Sequence, residues 1–174
     1  ANNMAYEPVV FGNNAEAIAA FQAGRCDVFT TDQSGLYSSR TKFETPDDWV
    51  VLPEVISKEP LGPGVRHGDN EWADVVRWAF YAMVEAEELG VTSQNVDEMK
   101  DSTNPNIRRL LGTEGELGQG LGLPNDFGYQ VIKLVGNYGE SFERNVGMDT
   151  PLQIARGLNA QWNDGGLLYA PPFR

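Results

Sequence analysis

The chain has 174 residues, 41% of them hydrophobic, and sets 25 Asp and Glu against 13 Lys and Arg for a net charge of -12. That length suits one ordinary domain with a real core, and the excess of acid excludes a nucleic-acid backbone and disfavours an anionic membrane surface as partners, because both need clustered Lys and Arg. No run approaches the ~18 apolar residues of a membrane span, Gly and Pro carry no period, and no signal-peptide pattern opens the chain, so a leader has already gone or was never included.

In chain order, "ANNMAYEPVVFG" starts with what looks like a helix end and runs into a strand from about Tyr6 to Phe11. Asn13 or Asn14 then caps a helix over "AEAIAAFQAG", closed by Gly24. "CDVFT" forms a second strand, and a helix begins at Asp32 or Ser34. This β-α-β-α order predicts a parallel sheet. "WVVLPEVISKEPLGPGV" is extended, and Pro53, Pro60 and Pro63 suit an edge strand or a crossover between lobes. "GDNEWADVVRWAFYAMVEAEELG" is the clearest helix, capped by Asp69 or Asn70 and ended by Gly90, with Trp72, Val75, Val76, Ala79 and Met83 on one stripe.

Short helices follow over "SQNVDEMK" and "PNIRRLLG", and "TEGELGQGLGLP" reads as a loop. A longer helix is expected from about Asp126 to Arg144, with Phe127, Val131, Leu134, Tyr138 and Phe142 on its stripe. A last helix opens with Thr150 as cap and Pro151 in its first turn, and the tail "GGLLYAPPFR" is irregular. The first third is thus β/α and the remainder nearly all helical. A sheet of two strands does not stand alone, so the first third needs more strands than this sequence supplies.

Asp32 is the residue with the most chemistry. At the carboxyl end of a parallel strand its side chain points into the crevice where open α/β sheets bind ligands. There a carboxylate accepts charge-assisted hydrogen bonds from an ammonium group. The structural alternative is a helix N-cap, and both roles can coexist because a carboxylate has two oxygens. His67, the single histidine, precedes a helix entry, and no Ser-His-Asp or Cys-His set assembles around it, so no catalytic residue is assigned. No His or Cys pairs stand at metal-ligand spacing. "GQGLG", Gly118 to Gly122, follows a helix-like stretch instead of a strand and lacks the full dinucleotide pattern, so it reads as a flexible loop. The acids of "DDW" and "EAEE" read as a turn and a solvated helix face. Cys26 is either a small buried residue or half of a disulfide. One cysteine fits a reducing compartment, or an exported protein whose second cysteine lies elsewhere.

"GRCDVFTTDQSGLYSSR", residues 24 to 40, resembles the periplasmic solute-binding proteins of polar amino-acid ABC importers, in which Gly-Arg-x-Asp leads into a short strand and an Asp at the crevice. "PDDWVVLPEVISKEPLGPGVRHGDNEWADVVRWAFYAMVEAEELG" looks like their return crossover between lobes and the helix after it. "NYGESFERNVG" and "PLQIARGLNAQWNDGGLLYAPP" are similar to the C-terminal extension of the general L-amino-acid binders of that superfamily.

The resemblance implies part of an α/β, two-lobed, type II periplasmic-binding-protein-like fold with a helical C-terminal extension. Residues 1–52 would be the later half of lobe two, 53–66 the hinge crossover, and 67–174 the C-terminal part of lobe one and the extension. It implies a periplasmic, non-enzymatic receptor, made with a signal peptide, that closes on a free L-amino acid and delivers it to a membrane permease. No cofactor and no metal are implied. Asp32 would take the ligand's α-ammonium, and Asn14 would contact its side chain. Cys26 resembles a subgroup cysteine that pairs with an earlier one in lobe two, and that partner is absent from this sequence. The family's carboxylate-clamping arginine and first-lobe contacts would lie before residue 1. The missing part of the fold would then come from the same protein or from a second chain. The rival readings are a bilobal amino-acid-processing enzyme, dehydratase-like, and a sensory module, which the lack of any linker after Arg174 disfavours.

Overall fold

The computed structural model describes residues 5–57 and 60–174; the helix-like start at residues 1–4, and Lys58 and Glu59 of the expected crossover, lie outside the described residues. The chain divides into two compact units, Ala1–Glu59 and Pro60–Arg174.

Among the described residues the first unit carries two α-helices. Helix α1, Asn14–Gln22, is capped by Asn13, whose side chain accepts from the Glu16 N–H and donates to the Glu16 carboxylate at 2.8 Å. Helix α2 is Gln33–Arg40. The unit is held by rings: Phe21 lies 4.6 Å from Trp49 and 5.9 Å from Phe29, and Phe43 lies 5.2 Å from Trp49. Among the described residues Ala20 and Phe43 are its buried apolar ones.

The two expected strands, Tyr6 to Phe11 and "CDVFT", form no ladder, and among the described residues the parallel sheet is not seen. Strand geometry is sustained by a paired neighbour, and no backbone hydrogen bond joins the two segments among the described residues. Among the described residues the one bridge is isolated and lies elsewhere, Gln161 to Leu168, in parallel sense.

The second unit is helical and closes its own core. Helix α3 spans Asn70–Glu88, with the Asp69 carboxylate accepting from the Trp72 N–H. It packs against α5, Pro105–Leu110, α6, Phe127–Val135, and α7, Tyr138–Asn145. The short α4 is Val96–Met99. The core gathers Ala82, Ala86, Val91, Val96, Ile107, Leu110, Leu111 and Ile132. The packed face of α3 is rotated from the expected stripe: Ala82 and Ala86 face the core with Trp78 and Tyr81 against it, while Trp72 is exposed.

Two sequence expectations fail here for local reasons. The helix expected from Asp126 to Arg144 is two helices, because Gly136 takes φ 83° and Asn137 starts a new one. A side chain at Gly136 would face both a left-handed φ and the Glu140 side chain. Asn137 and Glu140 then form a reciprocal capping box. The helix expected from Thr150 does not form. The Thr150 hydroxyl accepts from Leu152 at 3.2 Å, Gln153 takes φ 52°, and single 3₁₀ turns follow at Gly157–Asn159 and Trp162–Asp164. The irregular tail is nonetheless packed: Phe173 is buried, 5.2 Å from the Trp78 ring. The "GQGLG" loop is also tied down, since the Gly118 carbonyl accepts from Leu121 and Leu123, both at 2.9 Å.

Candidate functional site

Asp32 occupies the N-cap position of α2 with φ -50° and ψ 141°, and its backbone carbonyl accepts from Leu36 at 2.9 Å. Its carboxylate makes no capping hydrogen bond. The residue is half-buried, and its carboxylate oxygens have no hydrogen-bond or ion-pair partner among the described residues. Of the two roles read from the sequence, the cap is therefore not exercised by the side chain. Helix α2 is secured at its other end instead, where Ser39 donates to the Gly35 carbonyl at 2.7 Å and the Arg40 guanidinium sits 5.1 Å from the Tyr37 ring centre.

Asn14 is exposed at the first position of α1. Because Asn13 takes the cap, the Asn14 amide is left without a hydrogen-bond partner among the described residues. Asn14 lines an open concavity of about 370 Å³ together with Phe11, Ala17, Cys26, Phe29 and Thr30. That volume is within the range of small-molecule sites. Asp32 is not among its lining residues, although it follows Thr30 by two positions. Sequence reasoning did not single out Thr30. Its signal was its place at the end of the same apolar run as Asp32.

The other candidates take structural places. His67 is exposed beside a shallow hollow of about 550 Å³ formed by residues 66–71. Cys26 is a free, half-buried thiol. Among the described residues no cluster of His, Cys, Asp or Glu is arranged to hold a metal ion, and no helix is long and apolar enough to cross a membrane.

The reading of "EAEE" as a solvated face is corrected. Glu85 is buried, and burial together with the nearby Glu88 charge pushes its carboxyl up to about 7. Glu87 pairs with Arg156 at 2.8 Å. That guanidinium also lies over the Tyr138 and Phe142 rings. Gln161 adds a hydrogen bond to the Val84 carbonyl at 2.9 Å. Glu140 is likewise structural: burial raises its carboxyl, but hydrogen bonds from Ser93 and from the Asn137 and Ser93 backbones outweigh that and hold it below the ordinary carboxylate range.

No family model matches the chain. It is 61% identical over 175 aligned positions to the general L-amino acid-binding periplasmic protein AapJ of Rhizobium johnstonii, covering 99% of this chain and 51% of that protein. It is 59% identical to the glutamate/glutamine/aspartate/asparagine-binding protein BztA of Rhodobacter capsulatus, covering all of this chain and 52% of that protein. It is 55% identical to YhdW of Escherichia coli, a putative amino-acid ABC transporter-binding protein, covering all of this chain and 51% of that protein. The fold superposes with a TM-score of 0.90, at 59% identity, on an ABC transporter periplasmic binding protein from Brucella ovis with glutathione bound, covering 99% of this chain and 55% of that one. The chain is thus homologous to amino-acid-binding periplasmic proteins of ABC transporters, and it spans about half the length of the curated relatives it matches.

Proposed function

We propose that this chain is the C-terminal part of a periplasmic receptor that captures free L-amino acids and delivers them to the permease of an ABC importer. The observation that carries the reading is identity of 55–61% along essentially the whole chain to proteins named as amino-acid binders. The complete receptor would have the α/β, type II, two-lobed fold. Residues 1–52 would belong to lobe two, 53–66 to the hinge crossover, and 67–174 to lobe one and its extension. The remaining length would supply the carboxylate clamp and the other strands.

Asp32 is the proposed partner of the ligand's α-ammonium. The ligands named for the relatives share that group: glutamate, glutamine, aspartate, asparagine, and the free glutamyl end of glutathione. A half-buried carboxylate with no internal partner is the complement of such a cation, because neutralising it costs no existing contact. Asn14 is proposed to meet the ligand's side chain, since both halves of its amide can be used, as acceptor or as donor.

The dehydratase-like alternative needs a proton-transfer group at the crevice, and the exposed His67 at the entry to α3 gives no support for one. The test is to join the unmatched part of the Rhizobium protein ahead of residue 1 and titrate the joined protein with L-glutamate, L-glutamine, L-aspartate and L-asparagine. Saturable binding with the ligand recovered unchanged is expected. Failure to bind any of them, or release of ammonia and an oxo acid from serine or threonine, would contradict the proposal.

A further inference from the structure

After α7 the chain runs to Arg174 without another α-helix among the described residues, yet it is not loose. It ties itself together. Leu167 donates to the Leu158 carbonyl, Gly166 to Gln161 and Trp162 to Leu168, each at 2.9 Å, and Leu168 donates to Ala160 at 3.1 Å. The segment meets the helices through a few buried side chains. Ile154, Ala170 and Phe173 are buried, and the Phe173 ring lies 5.2 Å from that of Trp78 in α3 and 6.1 Å from that of Phe127 in α6. Between these apolar anchors sits a polar node. Arg156 pairs with Glu87 of α3 at 2.8 Å. It also donates to the Asn159 carbonyl at 3.0 and 3.2 Å and covers the Tyr138 and Phe142 rings of α7. Gln161 donates to the Val84 carbonyl at 2.9 Å and to the Glu87 carboxylate at 3.3 Å. Gly139, in the first turn of α7, makes room for the node: a Cβ there would lie 2.8 Å from the Glu87 carboxylate and 3.0 Å from the Arg156 guanidinium.

We propose that residues 154–173 are a strap that opens and recloses as one piece over α3 and α7 while the helices stay folded, with the Arg156–Glu87–Gln161 node as its latch. The strap's turn hydrogen bonds run from residue to residue within it, so releasing the node and Phe173 frees the segment without breaking a helix. The closed form also carries costs that the helices do not. Gln153, at the base of the strap, takes φ 52°, a region that non-glycine residues seldom occupy. The Gln161 side-chain carbonyl is buried with no partner among the described residues, which forfeits the hydration it would have in the open form. The strap lies wholly within the second unit, and the proposal does not depend on the receptor reading.

Native-state hydrogen exchange on the 174-residue chain measures the opening. Amides of residues 160–168 should exchange with one common opening constant, at least ~10-fold faster than those of residues 107–111. Val96→Ala, in the helical core, should speed residues 107–111 at least ~10-fold and leave 160–168 unchanged, because the strap opens from intact helices. Arg156→Met should speed residues 160–168 at least ~10-fold. Gly139→Ala should speed them as well, although alanine is the better helix former, because the added methyl displaces the latch. Equal acceleration of both sets by Val96→Ala would show that the strap comes off only when the unit unfolds, and would overturn the proposal. So would unchanged exchange of residues 160–168 in Arg156→Met, or slower exchange there in Gly139→Ala. The same pattern is expected in the joined protein, where failure to bind amino acids would sink the receptor reading and leave the strap standing.

Discussion

The two units differ in how they dispose of apolar surface. In Pro60–Arg174, Leu110, Leu111, Ile132, Val84, Val91 and Val96 lose essentially all contact with solvent. Among the described residues of the first unit Ala20 and Phe43 are the buried apolar ones, while Val10, Val28, Val50 and Leu52 are exposed. Both units have ordinary apolar sequences, so composition does not explain the contrast. Sequence distance does. Antiparallel helices joined by short loops find their partners within a few tens of residues, whereas parallel strands pair only across crossovers and with strands remote in the chain. The second unit therefore closes its own core, whereas the first leaves much of its apolar surface open among the described residues.

Substitutions can break that contrast or sharpen it. The largest effect is expected from Leu110→Ala, which should cost about 2–5 kcal/mol in denaturant unfolding followed by a second-unit probe. Val10→Ala in the isolated chain should change stability by less than about 0.5 kcal/mol. Equal effects would erase the distinction between the units.

Arg156→Met comes next. Arg156 and Glu87 are each about one-fifth exposed, and the guanidinium also covers two rings. Removing it leaves Glu87 without its ion pair, at a cost of about 1–3 kcal/mol after discounting for solvent.

Glu85→Gln should act in the opposite direction and depend on pH. The folded carboxyl is raised from 4.5 to about 7, so the folded state binds more protons than the unfolded state between those values. Stability contributed at this position is therefore present below pH 4.5 and is lost as pH rises through 7. The variant should match the parent at pH 4 and exceed it by roughly 1–3 kcal/mol at pH 8. A parent protein whose stability is flat from pH 4.5 to 7.5 would contradict this.

The smallest effect is expected from Asp32→Ala in the isolated chain. An N-cap carboxylate that bonds the helix costs ~0.5–2 kcal/mol to remove. Asp32 makes no such bond, so its loss should leave thermal unfolding of the first unit unchanged within error. A drop of a full kilocalorie would restore the capping role.

Much of the helical half was legible from sequence because caps and period agree there. Asp69 before "NEWADVV" marks the start of α3, and Gly90 follows its end. The break at Gly136 was hidden by an apolar period that runs unbroken from Val131 to Phe142, although the spacing of Asn137 and Glu140 carried the capping signal. Thr150-Pro151 looked like a helix start and became a turn, because the Thr150 hydroxyl and the left-handed Gln153 close the backbone early. At the candidate site, sequence named Asp32 and Asn14 but left each with two roles. Geometry separates them: Asn13, and not Asn14, binds the helix end, and the Asp32 carboxylate binds nothing of its own. The two strands read at Tyr6 to Phe11 and in "CDVFT" were over-read from β-prone composition, because a strand is defined by a pairing neighbour and neither segment has one among the described residues.

The most direct test of the Asp32 assignment is calorimetric titration of the joined protein with L-glutamate, comparing the parent with Asp32→Asn. Asparagine keeps the shape and removes the charge, so affinity should fall at least ~100-fold while the unfolding midpoint stays put. Unchanged affinity in that variant would show that the ammonium is held elsewhere.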